Sequence, residues 1–373
     1  MIPAKVLESI PRNDRSLVSD LGSAFPFAIK PASEGFSRNR VWHVVQVDAM
    51  SDLQYAVRRW DCETYSKQRL QQIADFQNHL LEKKIVVPKP LRWLNNEYVL
   101  PAEDALWTIE YWLAGEAIAS HETVSDDLLD QIVTTLLALH HAGREWGNLH
   151  YESAGIADRI KKIHEWQSRS ASNEWQEQFR SQAFGDRSLN RLSEATLSPC
   201  EILSPIEIHQ IEAAFASSVR FIQQRGASWI STLALIQSRR PECHWVLRDL
   251  WRENILIDRG RVCGVIDFGA ARVDWPILEV VRALSSFLSP SDPRWQSVWD
   301  SYQRQSPTKQ LPSFETIQTL DHIATTLSLL YWYDQIVGAN STHNDLKRDP
   351  DKNPLTQNAW SRIQELSIRF GQF

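Results

Sequence analysis

The sequence predicts an α+β protein in two lobes: a small β-rich lobe with one helix over residues 1–112, and a larger, mainly helical lobe over residues 113–373. Three observations predict it. Short runs of β-branched and aromatic residues dominate the first part, and helical periodicity dominates the second. A compact hairpin, Leu247–Arg272, interrupts the helical part with two apolar runs joined by Asp258-Arg259-Gly260. A chain of 373 residues is also long for a single core and suits two lobes.

In chain order, Glu34–Asn39 is a small-residue loop ahead of a strand over Arg40–Val47, where Val41, Val45 and Val47 recur at even spacing. A second strand spans Gln54–Trp60 and places Ala56 and Arg58 on one face. Thr64–Lys84 carries Leu70, Ile73, Gln77, Leu80 and Leu81 along one side of a helix. Leu106–Trp112 reads as a buried strand followed by the turn Leu113–Glu116. Ser125 caps a helix over Asp126–Ala142, with Gly143 placed to end it. Helical segments follow at Ile208–Arg225 and Trp229–Ser238. Asp274 caps Trp275–Leu288, and the tail holds helices near Asp321–Val337, ended by Gly338, and Gln357–Phe370.

Composition narrows the function. Hydrophobic content of 43% with 23% charged residues is ordinary for a globular chain. A net charge of −6 offers no basic face, so nucleic acid is not an expected partner. Four scattered cysteines lack metal-ligand spacing and fit free thiols in a reducing compartment. No stretch is apolar enough to cross a bilayer and the start has no secretory signal, so a soluble, cytoplasmic protein with no membrane partner is expected. Most of the sixteen tryptophans are expected to pack the core or a cleft.

The hairpin carries the chemistry. Asp249 lies ahead of its first run, Asn254 five positions on, and Asp267-Phe268-Gly269 follows the second run. The fold thus draws three oxygen-bearing side chains towards one place, as hard cations and phosphoryl transfer require. Asp249, Asn254 and Asp267-Phe268-Gly269, at this spacing, resemble the catalytic and metal-binding segments of the protein-kinase-like superfamily. Val265-Ile266 ahead of Asp267, and Asp274 with its helix after it, resemble the aminoglycoside phosphotransferase branch, whose members phosphorylate small molecules.

The resemblance spans roughly residues 20–340 and implies a bilobal protein-kinase-like fold. It implies Asp249 as catalytic base, Asn254 and Asp267 as Mg²⁺ ligands, and ATP or another nucleoside triphosphate as phosphoryl donor. Gly35 and Ser37 would cover the phosphates, and Arg58 would meet them in place of the usual lysine. The backbone around Glu110–Trp112 would meet adenine, with Trp112 or Tyr111 flanking the ring. The short connection between Gly269 and Asp274 leaves no room for a protein-kinase activation segment, so the acceptor is expected to be a small-molecule hydroxyl. Two departures stand out: Leu247 replaces the family's histidine, and the helix has no mid-helix glutamate, with Gln71 or Gln72 nearest in register. These suit the alternative of an inactive, nucleotide-binding scaffold; the intact trio favours an enzyme. Transfer of AMP in place of phosphate is a further alternative.

Overall fold

The structure, a computed structural model, describes residues 2–10, 27–31, 40–46, 53–118, 123–171, 175, 205–341 and 357–373. The chain divides into two compact units. One comprises Met1–Leu149, His244–Glu279 and Ser301–Pro307; the other comprises His150–Cys243, Val280–Asp300 and Thr308–Phe373.

The first unit is built on an antiparallel sheet. Its strands are β1 (Phe27–Pro31), β2 (Arg40–Gln46), β3 (Gln54–Asp61), β4 (Pro90–Leu91), β5 (Leu100–Ala102) and β6 (Ala105–Tyr111). They run in the order β1-β2-β3-β6-β4, with β5 also on β6. In β2 the predicted strand is present over Arg40–Gln46, with Val47 outside the described residues: Trp42, Val44 and Gln46 are buried, and Val41 and Val45 sit half-buried on the other face. The reason is aromatic area, because Trp42 stacks on Trp107 of β6 at 5.5 Å and the core closes around that pair. The short helix α1 (Ala4–Glu8) adds Val6 and Leu7 to this core.

Helix α2 (Lys67–Glu82) begins at Ser66, whose side chain accepts from the Arg69 N–H, a cap worth about 1 kcal/mol. The expected face is buried at Leu70, Ile73, Gln77 and Leu80; Phe76 joins it and Leu81 is only half-buried. Helix α3 (Asp126–Glu145) starts at the Ser125 cap as expected but runs through Gly143. A Cβ on Gly143 would stand 2.0 Å from the Trp245 carbonyl oxygen, so this glycine admits β8 (His244–Val246) against the helix and does not end it.

The predicted hairpin is β9 (Ile255–Asp258) and β10 (Arg261–Val265). Arg259 and Gly260 both have positive φ, 48° and 75°, which is the tight turn that matches strand twist. Asn254 lies just before β9, in the single 3₁₀ turn Arg252–Asn254. Strand β7 (Glu116–Ala117) lies beside β9, and β11 (Arg272–Asp274) pairs with β8 across the base of the hairpin.

The second unit is helical. Its helices α4 (Ala154–Arg169), α5 (Pro205–Ser238), α8 (Phe314–Ser341) and α9 (Gln357–Phe370) pack on one another. Two helical segments were expected across 208–238; there is one helix, which runs through Gly226, where Nε2 of Gln167 lies within 2.6 Å of where a Cβ would be. Helix α8 likewise continues past Gly338. Helices α6 (Pro276–Ser285) and α7 (Arg294–Gln305) each contribute residues to both units.

Candidate active site

The loop that holds Asp249 is anchored from below. Leu247 is buried, and Arg248 has the positive φ of 67°. The Arg248 backbone N–H donates to Oε1 of Glu279 at 2.8 Å, and its guanidinium Nε pairs with Oδ2 of Asp274 at 2.9 Å. The second Glu279 oxygen meets Nε2 of His140 at 2.9 Å, and Nδ1 of His140 meets the Tyr302 hydroxyl at 2.8 Å. His140 and Glu279 are fully buried, so this chain of bonds is shielded from water. Residues of α3, α6 and α7 thus supply the anchor that Leu247, an apolar residue, cannot.

Above the anchor, backbone bonds draw the trio together. The Asn254 amide Nδ2 donates to the Asp249 carbonyl at 2.8 Å, and the Ile266 N–H donates to the Asn254 carbonyl at 2.9 Å. Asp267 therefore begins one residue beyond a direct tie to Asn254. Its φ of 65° is a conformation that costs a non-glycine residue free energy and that clusters at functional sites. The Trp251 indole Nε1 donates to Oδ1 of Asp249 at 2.6 Å.

Arg58 reaches this place from β3. Its Nη1 lies 3.0 Å from Oδ1 of Asp267, and its Nε lies 3.1 Å from Oε1 of Glu110. Burial works against the charge on Arg58, but the Glu110 and Asp267 carboxylates outweigh it and raise its pKa. The other Glu110 oxygen accepts from Nε2 of Gln77 at 3.1 Å, and the same amide nitrogen lies 3.2 Å from the Pro88 carbonyl. The helix side chain that hydrogen-bonds the Arg58 cluster is Gln77, whereas Gln71 bonds Asp75.

Glu110 points its side chain into this cluster. The Tyr111 and Trp112 N–H groups are bonded to the Lys89 and Gln54 carbonyls. The exposed Trp112 ring stacks on His43 at 4.1 Å. Gly35 and Ser37 lie outside the described residues.

A divalent cation fits the donor set. The Asn254 amide is turned by its own nitrogen towards the Asp249 carbonyl, which leaves a carbonyl-type oxygen, and the Asp267 carboxylate is 44% exposed. Among the described residues no group of three or more His, Cys, Asp or Glu side chains could hold a metal. A cation here would draw its remaining ligands from phosphates and water, as Mg²⁺ does.

Sequence reasoning missed Trp251, Gln77, Glu279 and the role of His140. Only Trp251 had a local signal, as a donor two positions from a lone loop aspartate. The others act on partners 31 to 162 positions away in the chain.

An antiparallel sheet in the N-terminal region followed by a mainly helical C-terminal part matches the protein-kinase-like class of fold. Residues 28–308 match the phosphotransferase enzyme family, and the chain belongs to it. No curated protein matches the sequence. Among solved structures, the fold is similar to that of an amicoumacin kinase in complex with AMP-PNP, Ca²⁺ and Ami, with a TM-score of 0.53 and 11% identity over 92% of this chain and 88% of that one. A spectinomycin phosphotransferase in complex with ADP and spectinomycin gives 0.46 and 10% over 93% of each chain. A choline kinase from Cryptosporidium parvum Iowa II gives 0.47 and 13% over 98% of this chain and 93% of that one. Among the described residues no helix is long and apolar enough to cross a membrane.

Proposed function

We propose that the protein transfers the γ-phosphoryl group of ATP, or of another nucleoside triphosphate, to a hydroxyl of a small molecule. The observation that carries this reading is the bonded path from Arg58 to Asp267, and from Ile266 through Asn254 to Asp249. That path links Arg58, Asp267, Asn254 and Asp249 through hydrogen bonds, which supports the reading.

Asp249 accepts the proton of the acceptor hydroxyl and orients its oxygen for attack. Trp251 holds one oxygen of that carboxylate and so fixes the direction in which the group faces. Arg58 supplies positive charge to the phosphates with a planar fork of donors. Asn254 and Asp267 would hold Mg²⁺, which when bound neutralises charge on the transferring phosphoryl group. Gly35 and Ser37 belong to the loop taken to cover the phosphates. Since the Tyr111 and Trp112 amides are already bonded within the sheet, adenine recognition falls to the backbone beyond them and to the Trp112 ring. Residues 1–112 form the nucleotide lobe in this reading, and residues 113–373 carry the catalytic loop and the acceptor-binding helices. Catalysis is mainly positioning and electrostatics, with no covalent intermediate on the protein.

The test is ³¹P NMR of the protein with ATP, Mg²⁺ and a panel of alcohol-bearing small molecules. A phosphate monoester that forms with wild type and falls by about 10³-fold with Asp249→Asn supports the reading. AMP on the product indicates adenylyl transfer. Nucleotide binding with no acceptor consumed indicates the inactive scaffold.

A further inference from the structure

We infer that the phosphate-facing cation of this enzyme is held by its own sheet, with Glu110 as the positioning residue, and not by a charged residue of helix α2. The inference rests on the assignment of Arg58 to the nucleotide phosphates.

Glu110 lies directly opposite Ala56 in the antiparallel pairing of β3 with β6. Arg58, two residues on from Ala56, shares that face, so Arg58 and Glu110 are diagonal neighbours across one ladder. The small Ala56 side chain leaves Glu110 room to lean along the sheet to the guanidinium. The Arg58 and Glu110 side chains are only 12% and 13% exposed, so the pair is weakly screened. Nε of Arg58 meets Glu110 and Nη1 meets Asp267, which fixes the plane of the fork and leaves Nη2 to donate to a phosphate oxygen in this reading. A lysine, with one ammonium, could not bridge two carboxylates in a fixed plane.

The same geometry accounts for the missing helix glutamate. The residue at position 77 faces both the Pro88 carbonyl and the Glu110 carboxylate, two acceptors. A glutamate there would be repelled by both, whereas the glutamine amide donates to them. Gln77 is therefore buried and neutral because Glu110 already carries the negative charge. Arg58 and its partner belong to neighbouring strands, so displacement of α2 does not unpair them. The cation is preorganised before nucleotide arrives, and α2 only steadies it.

The test is calorimetric titration of Mg·ATP into wild type, Glu110→Gln, Gln77→Glu, Gln77→Leu, Arg58→Ala and the doubles Glu110→Gln/Gln77→Glu and Arg58→Ala/Glu110→Gln, with the melting temperature of each nucleotide-free protein as a folding control. Glu110→Gln is expected to weaken binding about tenfold, and to change nothing when added to Arg58→Ala. Gln77→Glu alone is expected to weaken binding by placing two carboxylates together. The Glu110→Gln/Gln77→Glu double variant moves the charge to the helix but leaves it facing the Pro88 carbonyl, and is expected to recover only part of the loss. Gln77→Leu keeps every charge and is expected to cost about threefold, which serves if Glu110→Gln does not fold. Wild-type affinity in both Glu110→Gln and Gln77→Leu overturns the inference and leaves the functional reading in place. Failure of wild type itself to bind nucleotide overturns both.

Discussion

The Trp251 indole donates to the Asp249 carboxylate across 2.6 Å from two positions along the same loop. One carboxylate oxygen is thereby fixed, and the group presents its other edge in a set direction. Trp251→Phe keeps the ring and loses the N–H, so kcat should fall about tenfold while KM for ATP stays within about twofold. Trp251→His, which keeps an N–H donor, should lose less. Steady-state kinetics of the three proteins decide it; equal kcat in Trp251→Phe and wild type would remove the indole from the account.

The chain Tyr302–His140–Glu279–Arg248 anchors the loop that holds Asp249, where the sequence has Leu247 and no histidine. Glu279→Ala leaves a buried imidazole and a backbone N–H without their acceptor, and should cost roughly 3–5 kcal/mol in denaturant unfolding. Tyr302→Phe removes only the terminal bond and should cost about 1 kcal/mol. Equal costs for the two would contradict a chain organised around Glu279.

Adjacent residues of α8 titrate with opposite effect. Burial holds the Asp321 carboxyl up at about 6 against the pull of its Arg369 partner. Burial, with Arg225 adding to it, holds His322 down at about 4. Asp321 binds its proton more tightly folded than unfolded, so its contribution is complete below its ordinary value of 3.8 and is lost as pH rises through about 6. His322 binds its proton less tightly folded, so its contribution is complete above its ordinary 6.5 and is lost as pH falls through about 4. Melting temperature followed from pH 7 to about 4 should therefore drop more steeply in Asp321→Asn than in wild type, and less steeply in His322→Gln. Unchanged slopes in both variants would contradict the assignment.

Much of this was legible in the sequence because it is local. Asp249, Asn254 and Asp267 flank the runs and turn of one hairpin at a spacing that resembles a known motif, and the strands and α2 follow short-range periodicity. The partners of Arg58 were not legible, because Glu110 meets it through the register of β3 on β6, 52 positions away. Gly143 and Gly338 read as helix ends, and both helices run through them. Glycine serves both helix termination and close approach, and at Gly143 only the Trp245 carbonyl shows that the second applies. The inward face of β2, with Trp42 and Val44, was not legible because the stacking partner of Trp42, Trp107, comes from a distant strand.

The central claim is a metal–nucleotide site at Asp267, and thermal shift with ATP, with and without Mg²⁺, on wild type and Asp267→Ala tests it most directly. The account predicts that ATP with Mg²⁺ raises the wild-type melting temperature, that omitting Mg²⁺ removes most of the rise, and that Asp267→Ala abolishes the Mg²⁺-dependent part. A wild type that ATP does not shift under either condition, or an Asp267→Ala variant that shifts as wild type does, would contradict it.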